Sequence, residues 1–133
     1  MKAFFSLLLF SFLALTAVQA QDQNLQQTAR TFMQQGDFDN AILVLNRALE
    51  SDRNNRDLQK DLVLANYYKR NYAKALEVAK ELIDRNDADV VSFQLAGNVY
   101  KALEEVKEAD KMYKRALKKF PNSGALYSEY GEL

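Results

Sequence analysis

Apolar positions along most of this chain recur at spacings of three and four residues, the repeat of an α-helix with one buried side. Phe93, Ala96, Gly97 and Tyr100 fall at i, i+3, i+4 and i+7, and Val106, Ala109, Tyr113, Ala116 and Leu117 form a second such stripe. The polar break between them is short, and short breaks join antiparallel helices, so the pattern predicts a helical hairpin. Small residues such as Gly97 and Ala109 suit a close crossing of the two helices, where a bulky side chain would hold the axes apart. Gly97 is therefore expected to face Ala109. The earlier stretch GDFDNAILVLNRALESDRNN, Gly36 to Asn55, reads in the same way as a tight turn, a capped amphipathic helix and a polar exit.

The hairpin recurs with a period of 34 residues. Ala41, Ala75 and Ala109 share one column; Phe38, Tyr72 and Val106 share a second; Ala48, Leu82 and Ala116 a third; Leu49, Ile83 and Leu117 a fourth. Four columns in one register define repeats at 22–55, 56–89 and 90–123, with the start of a fourth at 124–133, where Asn122-Ser123 opens a helix. The boundaries carry helix signals. Asp37 and Asn71 are expected to cap second helices, Asp57 and Asp89 to cap first helices, Gly36 to take a left-handed turn, and Pro121 to stop the last complete helix. A single hairpin cannot bury its apolar side alone, so the repeats must stack.

These motifs resemble the tetratricopeptide repeat, whose signature is W-x2-L-G-x2-Y, then A-x3-F, then P. The third period reads FQLAGNVY from Phe93 to Tyr100, ADKMY from Ala109 to Tyr113, then Pro121. The first has Leu25, Ala29 and Phe32 ahead of GDFDNAI, with Arg53 in the proline slot. The second departs most, with Val63 in the small-residue slot, Asn66 in the aromatic slot, Arg70 at the turn glycine and Asp87 at the proline. The resemblance implies an all-α fold: a right-handed superhelical solenoid of antiparallel helix hairpins.

The first twenty residues read differently. Lys2 supplies a positive start, Ala3 to Val18 an apolar run, and Val18-Gln19-Ala20 a small-residue ending, the pattern of a signal peptide cleaved after Ala20. The run is shorter than the roughly 20 residues of a spanning helix, so no integral membrane segment is expected after cleavage. The domain is then 21–133, exported to the periplasm or cell envelope of a bacterium, or secreted. Eighteen basic residues balance eighteen acidic ones, and losing Lys2 leaves one net negative charge. No global field favours nucleic acid, which is not an expected partner.

The chemistry available is narrow. The 133 residues include no Cys and no His, which removes disulfides, thiolates, imidazole bases and the usual zinc ligands. Glu104-Glu105 sit at a repeat turn and point apart; Asp37 and Asp39 resemble a calcium loop but lack its further acids. KMYKRALKKF, Lys111 to Phe120, is basic and aromatic, yet Tyr113 and Leu117 belong to the core stripe. No catalytic, metal or cofactor site is expected, and no enzyme.

What remains is a surface. In the family resembled, first helices line a concave side on which a ligand lies. The corresponding positions are Gln26, Arg30 and Met33; Lys60, Leu64 and Tyr67; Gln94, Asn98 and Lys101, a face of three cations and no acid with Asp57 and Asp61 beside it. The resemblance implies a non-enzymatic scaffold binding a partner protein or an extended peptide with acidic and apolar side chains. Some members clamp a terminal carboxylate with Lys and Asn in the first repeat; Gln26 and Arg30 stand there, so that activity is not carried over. The incomplete fourth unit, 124–133, reads either as a short cap or as the opening of a longer array, and the second reading carries an alternative: the extracytoplasmic sensory or substrate-presenting part of a larger enzyme or signalling protein.

Overall fold

The computed structural model describes residues 23–133; the expected signal peptide lies outside them. The described residues are helices and turns, in two compact units that meet in sequence at Asn55 and Arg56.

In the first unit, helix α1 spans 23–34 and α2 spans Phe38–Ser51. Ala29, Ala41, Leu45 and Ala48 are fully buried, the small and aliphatic positions of the two stripes. The turn is closed by a backbone hydrogen bond from Asp37 N–H to the Phe32 carbonyl, 2.9 Å, while Gly36 takes φ +74°. Asp37 caps α2 by accepting from Asn40 N–H at 3.2 Å.

The second unit holds α3 (Arg56–Tyr68), α4 (Tyr72–Asp84), α5 (Val90–Ala102), α6 (Val106–Lys119) and α7 (Gly124–Gly131). Each packs on the next, and α3 also packs on α5 and α5 on α7. First helices begin at Arg56, Val90 and Gly124, and second helices at Phe38, Tyr72 and Val106, so the period of 34 in the sequence is the period of the structure. Phe93, Leu82, Val63, Val99 and Tyr113 are almost wholly buried and form its interior. The departures in the middle repeat are absorbed locally. Val63 is fully buried, and Asn66, 2% exposed, donates from its amide to the Leu62 carbonyl at 2.9 Å, so the polar group in the aromatic slot is satisfied within its own helix.

Asn71 caps α4 and Asp89 caps α5 as the residue types indicate, with Asp89 accepting from Ser92 N–H at 2.9 Å. Asp57 does not cap. It lies inside the first turn of α3, where a carboxylate still favours the positive end of the helix. Pro121 follows directly on Phe120, the C-cap of α6. A second difference concerns Gly97: a Cβ added there meets atoms of Tyr113 and Met112 first, with Tyr113 Cζ at 2.6 Å. The glycine makes room for the Tyr113 ring, one helical turn beyond Ala109.

The turn of the first unit recurs twice in the second. Asn71 N–H bonds to the Asn66 carbonyl at 2.8 Å and Glu105 N–H to the Tyr100 carbonyl at 3.0 Å, the six-to-one closure of a left-handed helix end. Arg70 (φ 65°) and Glu104 (φ 58°) therefore occupy the conformation that Gly36 takes without strain. A side chain in this region costs about 1–2 kcal/mol, part of which is offset because glycine is freer when unfolded. Glu104 is exposed, so Glu104→Gly is expected to raise stability by about 0.5–1 kcal/mol, read as a higher urea midpoint. A lower midpoint would mean that the glutamate side chain itself holds the turn.

Candidate functional site

The nine expected ligand-facing residues divide between the units. On α1, Gln26 and Met33 are half-buried and Arg30 is exposed. The six in the second unit lie on the adjacent helices α3 and α5, and four of them are engaged in ways the sequence does not reveal.

Lys60, on α3, reaches the N-cap of α5: its Nζ lies 2.6 Å from Asp89 Oδ2, with the Arg56 guanidinium 3.7 Å from the same oxygen. Burial pushes the Asp89 carboxyl up, but the hydrogen bond from Lys60 and those from the Ser92 N–H and hydroxyl outweigh it, holding the group down to about 2. Gln94 donates from Nε2 to Glu129 on α7 at 2.7 Å. Lys101 sits 5.8 Å over the Tyr113 ring and 3.9 Å from Glu132. Tyr67 packs its ring against Tyr68 and Tyr72, with centroids 5.7 and 5.5 Å away. Lys60 thus joins α3 to the start of α5, and Gln94 and Lys101 join α5 to α7 and its end.

The expected face of cations without acids is corrected on this point. Asp89, Glu129 and Glu132 lie against it and balance Lys60 and Lys101. Neighbouring helices bring them there, which a search of each first helix alone cannot see. One signal was available: Glu129 stands one residue past a full period from Gln94. With these pairs formed, α3 and α5 offer Leu64 and Tyr67, both half-buried, and the exposed amide of Asn98.

The phenol of Tyr113 is driven well above its ordinary range, first by burial and then by the Glu129 carboxylate, whose Oε2 accepts from its hydroxyl at 3.4 Å. It stays neutral at physiological pH and acts as a packing group, stacked on Tyr130 at 5.5 Å. Among the described residues there is no cluster of three metal-ligating side chains and no helix long and apolar enough to cross a membrane. The geometry on α3 and α5 is that of an open surface for contact.

Residues 27–90 and 92–123 match two family models, each described as tetratricopeptide repeat. No curated protein is similar enough to the sequence to count as a match. Among solved structures, the first tetratricopeptide domain of human RPAP3 is 22% identical with a TM-score of 0.72, covering 84% of this chain and 87% of that one. The second such domain of human RPAP3, in complex with the HSP70 peptide SGPTIEEVD, is 18% identical with a TM-score of 0.74, covering 86% and 96%. A thermophilic tetratricopeptide protein of Thermus thermophilus is 20% identical with a TM-score of 0.69, covering 83% and 62%. At these identities the structures speak for the fold, and the two sequence matches for the family. The chain belongs to the tetratricopeptide repeat family.

Proposed function

We propose that the protein is an exported, non-enzymatic scaffold of the bacterial periplasm or cell envelope that holds an extended segment of a partner protein against its first helices. The observation that carries this reading is the surface left on the packed pair α3 and α5 once Lys60 and Lys101 have met Asp89 and Glu132. Leu64 and Tyr67 form an apolar strip, and Asn98 adds an amide whose donor and acceptor match those of a peptide main chain. In the first unit the corresponding surface is Gln26, Arg30 and Met33. Two similar structures hold peptides: the RPAP3 domain with SGPTIEEVD, and the first tetratricopeptide domain of Spaghetti (RPAP3) with the HSP90 peptide SRMEEVD. With Lys60 and Lys101 already paired, this face selects apolar side chains and main chain over acidic termini.

The test uses protein recovered from the envelope of an expressing bacterium, whose intact mass is expected to correspond to a chain beginning at Gln21. Partners cross-linked to it are compared between the parent, Asn98→Arg and the control Glu77→Lys on the outer side of α4. Asn98→Arg is expected to lower partner recovery roughly tenfold with an unchanged melting curve, while Glu77→Lys leaves recovery intact. Equal recovery from all three proteins would sink the face, and a chain still starting at Met1 would mean a retained anchor in place of a cleaved signal.

A further inference from the structure

The outer sides of the second helices carry an uneven charge that the peptide-binding reading does not use. Positions at i, i+4, i+7 and i+11 share one side of a helix, and on each second helix four such positions are exposed in the same register of 34. On α6 they are Lys107, Lys111, Lys114 and Lys118. The equivalents on α4 are Ala73, Glu77, Lys80 and Asp84, and those on α2 are Asp39, Leu43, Asn46 and Glu50. The same side is thus doubly negative on α2, singly negative on α4 and four times positive on α6, in a chain whose basic and acidic residues balance.

Only part of this charge is neutralised within the protein. Glu108 accepts from Lys111 at 2.9 Å, and Asp110 is shared by Lys114 at 2.8 Å and the Tyr130 hydroxyl at 2.5 Å. Among the described residues Lys107 and Lys118, at the two ends of the row, have no ion pair. Over eleven residues the row runs about 16 Å along the helix. Beside its first half is an open hollow of about 550 Å³, lined by Val106, Lys107, Asp110, Lys111, Tyr130 and Leu133, in which Asp110 is already engaged by Lys114 and Tyr130. Val106 is 53% exposed.

We propose that this side of α6 docks on an anionic lipid surface, with the lysine row among the phosphate headgroups and Val106 and Tyr130 at headgroup depth. Three features favour a lipid surface over other anions. Lysines offer point charges without the planar fork that arginine uses for an individual phosphate, so the contact is diffuse. The row encloses no apolar centre, and the core of a protein interface is depleted in lysine. Single-stranded nucleic acid needs a series of open stacking aromatics; Tyr113 of α6 is fully buried, and the ring of Tyr130 beside the row is already stacked on it, with its hydroxyl held by Asp110. An aliphatic group and a tyrosine beside a basic helix are what the interfacial layer of a bilayer accommodates.

The experiment is co-sedimentation of the purified protein with vesicles of phosphatidylcholine alone and of phosphatidylcholine mixed equally with phosphatidylglycerol, at low and high salt. Comparing the two compositions isolates the anionic contribution from any binding by the apolar residues 3–18. Binding is expected to rise with phosphatidylglycerol and to fall in high salt. Each lysine at such a surface is worth roughly fivefold in partitioning, so Lys107→Gln with Lys118→Gln together are expected to lower the phosphatidylglycerol-dependent part about 25-fold. Neither residue has an ion pair to lose, so the melting curve should stay in place. Lys80→Gln, on the negative side of α4, should leave binding unchanged. No dependence on phosphatidylglycerol, an equal loss from Lys80→Gln, or displacement from vesicles by duplex DNA at matched phosphate would each overturn the proposal. Because α3 and α5 take no part, failure here leaves the peptide face standing, and failure of that face leaves this one.

Discussion

Replacing Gly97 by leucine is expected to lower the stability of the protein by about 3 kcal/mol, at the upper end of the cost of overpacking a filled interior. The glycine sits on α5 where the Tyr113 ring of α6 crosses it, and even a Cβ falls within 2.6 Å of Tyr113 Cζ and against the hydroxyl. The ring has little freedom to withdraw. It is fully buried, stacked on Tyr130, covered by Lys101 and bonded through its hydroxyl to Glu129. Gly97→Ala tests the same contact with a built-in opposing effect, since alanine favours a helix by about 1 kcal/mol over glycine. A net loss from Gly97→Ala therefore means that the clash exceeds the propensity gain. Adding Tyr113→Phe removes the nearest atom and leaves the ring, so the penalty should shrink without vanishing. Urea unfolding of the parent, Gly97→Ala, Tyr113→Phe and the double variant gives the coupling directly, and an unchanged midpoint for Gly97→Leu would show that the ring does not rest on the glycine.

That contact also shows how far the sequence reaches. A small residue at 97 announces a close approach, because helix positions separated by three and four residues locate the packed side whatever lies across it. It does not announce which neighbour approaches: choosing Tyr113 over Ala109 requires the rotation and axial offset of α6, which every contact in the hairpin sets together. Local features were legible for the same reason that they are local. Gly36, Asp37, Asn71 and Asp89 act on backbone within four residues of themselves, and the structure places each as its residue type indicates. Asp57, also a capping type, falls one residue inside α3.

The left-handed residues Arg70 and Glu104 lie between these cases. Neither residue type suggests positive φ, yet both occupy the column of Gly36, and the repeat transmits the conformation that a single side chain conceals. The surface proposed for ligand contact was least legible. Its helices and register could be drawn from the sequence, but its electrostatics depend on acids contributed by the next helix: Asp89 for Lys60 and Glu132 for Lys101. A count of charges along isolated helices misses such pairs, because side chains from two elements meet only after those elements pack.

The pair formed by Asp89 and Lys60 yields the other large effect. Asp89 is at once the cap of α5, through the Ser92 N–H, and the counter-ion of a lysine whose side chain is 14% exposed. Asp89→Ala removes a cap worth about 1 kcal/mol and leaves a largely covered ammonium without its partner, a further cost of about 1–2 kcal/mol. The expected total is about 2–3 kcal/mol. Asp89→Asn separates the two parts, because asparagine still caps but carries no charge. Acid distinguishes them again. The carboxyl is held down to about 2 in the folded protein against about 3.9 in an unfolded chain, so its contribution is complete above the unfolded value and is lost as pH falls from about 4 through 2. In thermal melts the parent should exceed Asp89→Asn near neutral pH, and the gap should close across that acid window. A gap that stays constant down to about pH 2 would mean that the carboxylate charge is not what holds α3 to the start of α5.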